Sequence, residues 1–238
     1  MGRNLLTIAF DADDTLWHNE RFFKLTQQRF AELLADYADP RDLDARLLAA
    51  ERRNIGHYGF GIKGFVLSMI ETAIEVTQER VPASVISELI LAGQEMLQHP
   101  IDLLPHAADT LDALASDHHI VLITKGDLLD QERKLAQSGL GEMFDAVEIV
   151  SDKNAATYSR IFSGTPGQAR AALMVGNSVK SDVLPAIEAG AWGVWVPHDL
   201  AWDLEHATPP DTHGRYREIA HLGELPGLVS RIREQSTE

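Results

Sequence analysis

The chain has 238 residues, 45% of them hydrophobic and 24% charged, with a formal net charge of -15. Such a composition is globular, and its acidic balance argues against nucleic acid or an anionic membrane as main partner, since both select clustered Lys and Arg. Without cysteine there are no disulfides or thiolate metal sites, and no apolar run nears the roughly 18 residues of a membrane span. With no signal-peptide pattern at the start, the expectation is a cytoplasmic protein, monomeric or homodimeric.

In chain order, Leu5–Phe10 is a short apolar run that ends at acids, as a buried parallel strand does. From about Asn19 to Gln98 the pattern turns helical: Phe23, Phe30, Leu34 and Tyr37 recur at helical steps, as do Val66, Met69, Ile70, Ala73 and Ile74. Pro82 opens a further helical stretch, where a missing N–H is harmless. The glycines of "NIGHYGFGIKG" mark a loop between the second and third helices. After His99-Pro100, strand and helix alternate. A helix from about Pro105 to Ser116 leads to the strand "HIVLI", then "TKGD" and a helix ending near Gly139. Phe144–Val150, Ala171–Val175 and "GVWV" read as further strands, with a helix ending at Gly190 before the last. "HATPPDTHG" has the composition of a loop, and His118, His119, His198, His206 and His213 read as surface residues without metal-ligand spacing.

This rhythm predicts an α/β fold, a doubly wound parallel sheet with right-handed crossovers, interrupted after its first strand by an α-helical insert. The expected division is residues 1–16 and 101–238 for the catalytic core and 17–100 for a helical cap. Ligands of such sheets bind at the carboxyl ends of the strands. Four strand ends carry polar groups there: Asp11 and Asp13, then Thr124 with Lys125 and Gly126, then Lys153, then Asn177 and Asp182. Crowded carboxylates are tolerated where a divalent cation sits among them, and Mg²⁺ favours oxygen ligands. A carboxylate can act as a nucleophile, while a hydroxyl, backbone N–H groups and an ammonium hold phosphoryl oxygens. Asp14 reads as turn or helix-cap chemistry.

"DADDT", "LITKG", Lys153 and "GNSVKSD", in this order and at these intervals, resemble the four motifs of the haloacid dehalogenase (HAD) superfamily, and the resemblance covers essentially the whole chain. It implies a Rossmann-like core with a helical cap inserted after the first motif. It also implies a Mg²⁺-dependent phosphatase of small phosphorylated metabolites that works through an aspartyl-phosphate. By that resemblance Asp11 is the nucleophile, and Asp13 is first acid and then base. Thr124 binds the phosphoryl group, where the residues themselves also offer the backbone N–H groups of Lys125 and Gly126, and Lys153 offsets negative charge. Asp11, the Asp13 carbonyl, Asn177 and Asp182 hold or support Mg²⁺. Dehalogenases of the superfamily lack the second aspartate and need no metal, so Asp13 favours a phosphatase.

Two positions depart from the pattern. Asn177 stands where an acid is usual, which removes a negative charge from the metal site. Lys125 stands where a neutral residue is usual; it adds a positive charge near the phosphate or simply faces solvent. Substrate selection is expected from the cap, where Arg53, His57, Tyr58 and Lys63 of "RRNIGHYGFGIKG" gather cations beside an aromatic; packing within the cap is the plainer reading. Trp17, His18 and Glu20 read foremost as packing at the junction. A phosphosugar mutase or other phosphotransferase is the alternative on the same motifs. From another class, a non-catalytic phospho-acceptor is opposed by the long insert and by Asp13, and the complete motif set gives no reason to choose a binding module on the same fold.

Overall fold

The computed structural model describes residues 6–235. Six parallel strands form one sheet: β1 (Thr7–Phe10), β2 (His119–Lys125), β3 (Ala146–Val150), β4 (Ala172–Gly176), β5 (Trp192–Trp195) and β6 (Tyr216–Glu218), in the order β3-β2-β1-β4-β5-β6. The central strand β1 pairs Phe10 with Leu122 on one side and with Val175 on the other. All four of its residues are buried, as a parallel strand covered on both faces requires. Leu5, the first residue of the predicted strand, lies outside the described residues.

The residues form two compact units: 6–18, 101–125 and 131–235 make up the sheet unit, and 19–100 with 126–130 the helical unit. In the helical unit, α1 (Glu20–Leu33), α2 (Pro40–Tyr58), α3 (Ile62–Val76) and α4 (Ala83–Gln98) surround a core of Phe30, Leu34, Leu43, Leu47, Phe65, Met69, Ala73 and Leu89. Pro40 begins α2 behind Asp39, whose carboxylate accepts from the Arg41 N–H. The predicted loop at Asn54–Gly64 is a correction: α2 runs on to Tyr58, and only residues 59–61 separate it from α3. One glycine costs a helix about 1 kcal/mol, so Gly56 alone does not break it. The chain turns instead at Gly59 and Gly61, with φ of 72° and 113°.

Around the sheet lie α5 (Ala107–Ala115), α6 (Leu128–Ser138), α7 (Ala155–Ser163), α8 (Leu184–Glu188) and α9 (Leu225–Gln235). Side chains of a strand alternate between faces, and the two cores follow that period. Ile8, Phe10, Ile120 and Leu122 pack with Leu111 of α5 and Leu228 of α9. Ala9, Val121, Ile123 and Met174 pack with Tyr158 and Phe162 of α7 and Ala186 of α8. Helices thus cover both faces, which is the doubly wound arrangement.

The pattern misses β6, three residues long and at the sheet edge, where a few backbone pairings form without an apolar run to announce them. His118 is buried rather than at the surface, with 7% exposure. Burial lowers its tendency to take up a proton, and Arg233 adds to the effect. Among the described residues no helix is long and apolar enough to cross a membrane.

Candidate active site

The carboxyl ends of β1, β3 and β4 bring three charged side chains together. Asp11 leaves β1 with its N–H on the Val175 carbonyl at 2.9 Å. Lys153 follows β3, and Asp182 lies in the single π-helical turn Val179–Val183 after β4. The Lys153 ammonium reaches Asp11 Oδ1 at 2.5 Å and Asp182 Oδ1 at 2.7 Å. All three are buried, with 7%, 5% and 1% exposure for Asp11, Lys153 and Asp182. The second oxygen of Asp182 accepts from the Ser178 N–H at 2.9 Å, so Asp182 fixes Lys153 and is itself fixed by backbone. Ser178 is also the side-chain cap of this turn, its hydroxyl accepting from the Ser181 N–H.

Two carboxylates therefore share one ammonium in a water-poor site. Burial raises the Asp11 carboxyl to about 7; Lys153 opposes the shift, and the charges of Asp182 and Asp13 add to it. Burial disfavours the charged form of Lys153 too, but Asp11 and Asp182 outweigh it and hold the ammonium above its ordinary range. With both acids ionised the cluster carries an excess of negative charge. Thr15 steadies the remaining oxygen of Asp11, its hydroxyl donating to Oδ2 at 2.9 Å, while the same Thr15 oxygen accepts from the Asn177 N–H at 3.1 Å.

Asp13, two residues beyond Asp11, has a separate set of partners. Lys134 of α6 reaches both of its oxygens, at 2.9 and 3.0 Å, Gln131 Nε2 donates to Oδ2 at 2.9 Å, and Trp17 Nε1 donates to Oδ1 at 2.7 Å. Sequence reasoning missed Gln131 and Lys134, which sit one helical turn apart on the first turns of α6 in the sheet unit. The Thr124 hydroxyl, buried at the end of β2, donates to Gln131 Oε1 at 3.2 Å. Gln131 therefore links the first and second polar strand ends through one amide.

Lys125 does not face solvent. Its ammonium meets Glu205 Oε1 at 2.5 Å and the Ser181 hydroxyl at 2.8 Å, and its side chain is 15% exposed. Burial would raise the Glu205 carboxyl, but Lys125 and the hydroxyls of Ser178 and Ser181 prevail and hold it below the usual range. The extra cation of Lys125 is thus matched by an acid from the segment after β5. Gly126 follows with φ of 149°, a conformation that side chains rarely adopt.

Asn177 offers Oδ1 beside Thr15 Oγ1 at 3.4 Å, and its carbonyl accepts from Trp195 Nε1 at 2.8 Å. In the helical unit, Arg53 pairs with Glu71 at 2.7 Å and Lys63 with Asp127 at 2.9 Å, so both cations are matched by acids of their own unit. The groove beside Arg53 is lined by Glu71, Glu75 and Glu79, which repel an anion. Tyr58 is 53% exposed and lies beside His57, with ring centres 6.2 Å apart.

A divalent cation fits the Asp11 site on the structure's own terms. Asp11 and Asp182 outnumber the one buried ammonium, and a cation beside Asp11 would favour the ionised carboxylate that burial disfavours. Asp11 Oδ2 and Asn177 Oδ1 both lie beside Thr15 Oγ1, at 2.9 and 3.4 Å, and supply oxygen donors of the kind Mg²⁺ takes.

Comparison with known proteins identifies the family. The family model for haloacid dehalogenase-like hydrolases matches residues 5–190, and the chain belongs to that family. A haloacid dehalogenase-like family hydrolase from Xanthomonas campestris is 37% identical in sequence, with a TM-score of 0.89 over 99% of this chain and 95% of that one. The magnesium-bound HAD-hydrolase YfnB of Bacillus subtilis shares the fold at 19% identity and a TM-score of 0.66, over 95% of this chain and 99% of that one. The pyrimidine 5'-nucleotidase YjjG of Escherichia coli is 28% identical over 135 residues, which span 54% of this chain and 57% of that protein. Structures of 2-haloacid dehalogenases share the fold as well. The chain is therefore an enzyme of the hydrolase class.

Proposed function

We propose that this hydrolase is a Mg²⁺-dependent phosphatase acting on a small phosphate monoester. The observation that carries the reading is the pair Asp11 and Asp13. Both lie on one loop, yet each has its own cation, Lys153 for the first and Lys134 for the second. One carboxylate is fixed for attack and the other is kept separate for proton transfer. A dehalogenase expels a halide, which needs no proton, so the acid role of Asp13 has no counterpart there.

In the first half-reaction Asp11 Oδ attacks phosphorus, and the bond from phosphorus to the ester oxygen breaks. Asp13 gives a proton to the departing alcohol. In the second half, Asp13 takes a proton from water, the water oxygen attacks phosphorus, and the bond to Asp11 breaks to release inorganic phosphate. Lys153 stays close to the charge that builds up on Asp11 and the phosphoryl group. All three donors on Asp13 hold its carboxylate oxygens, so it turns to a substrate only by exchanging at least one of them. When Mg²⁺ is bound by Asp11, the Asp13 carbonyl and Asn177, it supplies charge neutralisation at the phosphate. Nucleoside monophosphates are the first substrate class to try, given the partial similarity to a pyrimidine 5'-nucleotidase.

The test is phosphate release from an aryl phosphate with and without Mg²⁺, for the wild type and Asp11→Asn, alongside halide release from 2-chloropropionate. Multiple turnovers that need both Mg²⁺ and Asp11 support the reading. Halide release, or phosphate release indifferent to Asp11, overturns it.

A further inference from the structure

Beside the acidic loop, and outside the set just described, three metal-ligating side chains of the sheet unit converge. One carboxylate oxygen of Asp14 and one ring nitrogen each from His18 and His198 lie within 4.8 Å of one another. We propose that Asp14, His18 and His198 form a second divalent-cation site, for a zinc-class ion and not for Mg²⁺. This proposal is independent of the phosphatase reading.

The chain holds each ligand in place. Asp14 is a non-glycine residue at φ 59°, in the left-handed region, and its N–H donates to the Trp17 carbonyl at 2.7 Å. This tight turn sets Asp14 and His18, four residues apart, on the same side of the loop. The His18 N–H is tied to the Asp102 carbonyl at 3.0 Å. An Asp in this conformation costs more than a glycine would, although it is among the residues that tolerate it. The Asp14 carboxylate is nevertheless buried, with 7% exposure, and the His198 side chain is 14% exposed.

The chemistry of the three groups selects the ion. His198 Nε2 points to Asp14 Oδ1 at 3.8 Å. On the far side of the ring, Nδ1 lies 2.9 Å from the Leu200 carbonyl oxygen and 3.3 Å from the Leu200 nitrogen. With the proton on Nδ1, donated to that carbonyl, the Nε2 lone pair is left toward Asp14. A backbone carbonyl behind the ligating imidazole is the usual support of a histidine metal ligand. Ligands of tetrahedral zinc at about 2.0–2.2 Å stand roughly 3.3–3.5 Å apart. The 3.8 Å pair therefore needs to close by only a few tenths of an ångström, and the ligand atom of His18 already lies within 4.8 Å of both. Two imidazoles and a carboxylate with a water as fourth ligand make a zinc, cobalt or nickel site, whereas Mg²⁺ takes oxygen. Two adjacent cation sites of unlike chemistry can then be loaded separately. The second one ties the loop after β1 to the segment after β5.

The test uses untagged, metal-free protein carrying Asp11→Asn, titrated with Co²⁺ in excess Mg²⁺ and followed by visible absorption and equilibrium dialysis. One Co²⁺ per chain is expected, with the d–d bands of a four-coordinate ion, displaced by Zn²⁺. His198→Ala and His18→Ala should each bind Co²⁺ more than about tenfold more weakly, since losing a ligand costs at least as much as losing its support. His198→Cys keeps a ligand at that position and should add a thiolate-to-cobalt charge-transfer band, which a merely structural role would not produce. The proposal is overturned if Co²⁺ is not retained in excess Mg²⁺. It is also overturned if the alanine variants bind with unchanged affinity and spectrum, or if the cysteine variant binds Co²⁺ without that band.

Discussion

Lys134 on α6 grips both carboxylate oxygens of Asp13, at 2.9 and 3.0 Å, across 121 residues of sequence. Neither lies in solvent: the side chains are 9% and 22% exposed. The second acid of the loop thus arrives with its orientation fixed by a helix that no motif marks.

Replacing this cation tests how far Asp13 depends on it. Lys134→Met leaves Trp17 and Gln131 as donors but removes the only charged one among the contacts described above. We expect kcat for aryl phosphate hydrolysis to fall about ten- to hundredfold, short of the full general acid–base contribution of about 10²–10⁴. KM should change by less than about threefold, because Lys134 positions Asp13 and does not itself bind substrate. Steady-state kinetics decides it; an unchanged kcat would mean that Asp13 is oriented by its neutral donors alone.

Much of this site was legible because strand ends in a parallel sheet converge whatever their separation in sequence. Asp11, Lys153 and Asp182 are 142 and 29 residues apart in their two contacts, yet each follows a strand that the apolar runs predict. Gln131 and Lys134 were not legible, since a polar face of an amphipathic helix looks alike whether it meets solvent or a carboxylate. Nor was the partner of Lys125: Glu205 lies in a segment whose composition says only loop, and a loop's path depends on contacts rather than on period. The histidines misled for a related reason. His18 and His198 have no sequence spacing in common and become neighbours, with ring centres 5.9 Å apart, only through the order of the strands.

Lys153 is the shared counter-charge of two buried acids, so its removal should be felt in stability as well as activity. Lys153→Met leaves Asp11 and Asp182 facing each other without it, and breaking a buried pair in this way costs about 3–5 kcal/mol. Adding Asp182→Asn should restore part of that loss, because one unpaired charge then disappears. Urea denaturation of the single and double variants measures both steps. Additive losses would show that the two residues are energetically separate.

The raised Asp11 carboxyl has a consequence for pH. Its ordinary value is 3.8 and its folded value about 7 in the absence of a cation. Between these the folded protein holds a proton that the unfolded chain has released, so stability falls as pH rises through this window and levels off above about 7. Asp11→Asn cannot ionise and should lack this component. Without divalent cation, the variant should therefore gain on the wild type between about pH 5 and about pH 8, by urea denaturation at each. Mg²⁺ should narrow the difference by favouring the ionised form.

Asn177 gives the proposed metal site a neutral ligand in place of an acid. Asn177→Asp adds a negative charge beside Asp11 and should lower the Mg²⁺ concentration for half-maximal activity by about tenfold, a difference of ~1.4 kcal/mol. Activity titrated with Mg²⁺ reads this directly. An unchanged half-saturation would show that Asn177 Oδ1 is not a ligand.

Gly176, the last residue of β4, backs directly onto Asp182. A Cβ built on it would collide with the Asp182 carboxylate and lie 2.8 Å from the Asp182 Cβ. The obstacle is a side chain held at both oxygens, one by Lys153 and the other by the Ser178 N–H, so it cannot swing away freely. Gly176→Ala should therefore cost about 1–3 kcal/mol in stability, the usual range for overpacking. It should also lower turnover, because moving Asp182 withdraws the second anchor from Lys153. Denaturation and aryl phosphate kinetics on the same variant separate the two effects. If Gly176→Ala loses stability but keeps full kcat, Lys153 is positioned by Asp11 alone and Asp182 serves only the backbone of its own turn.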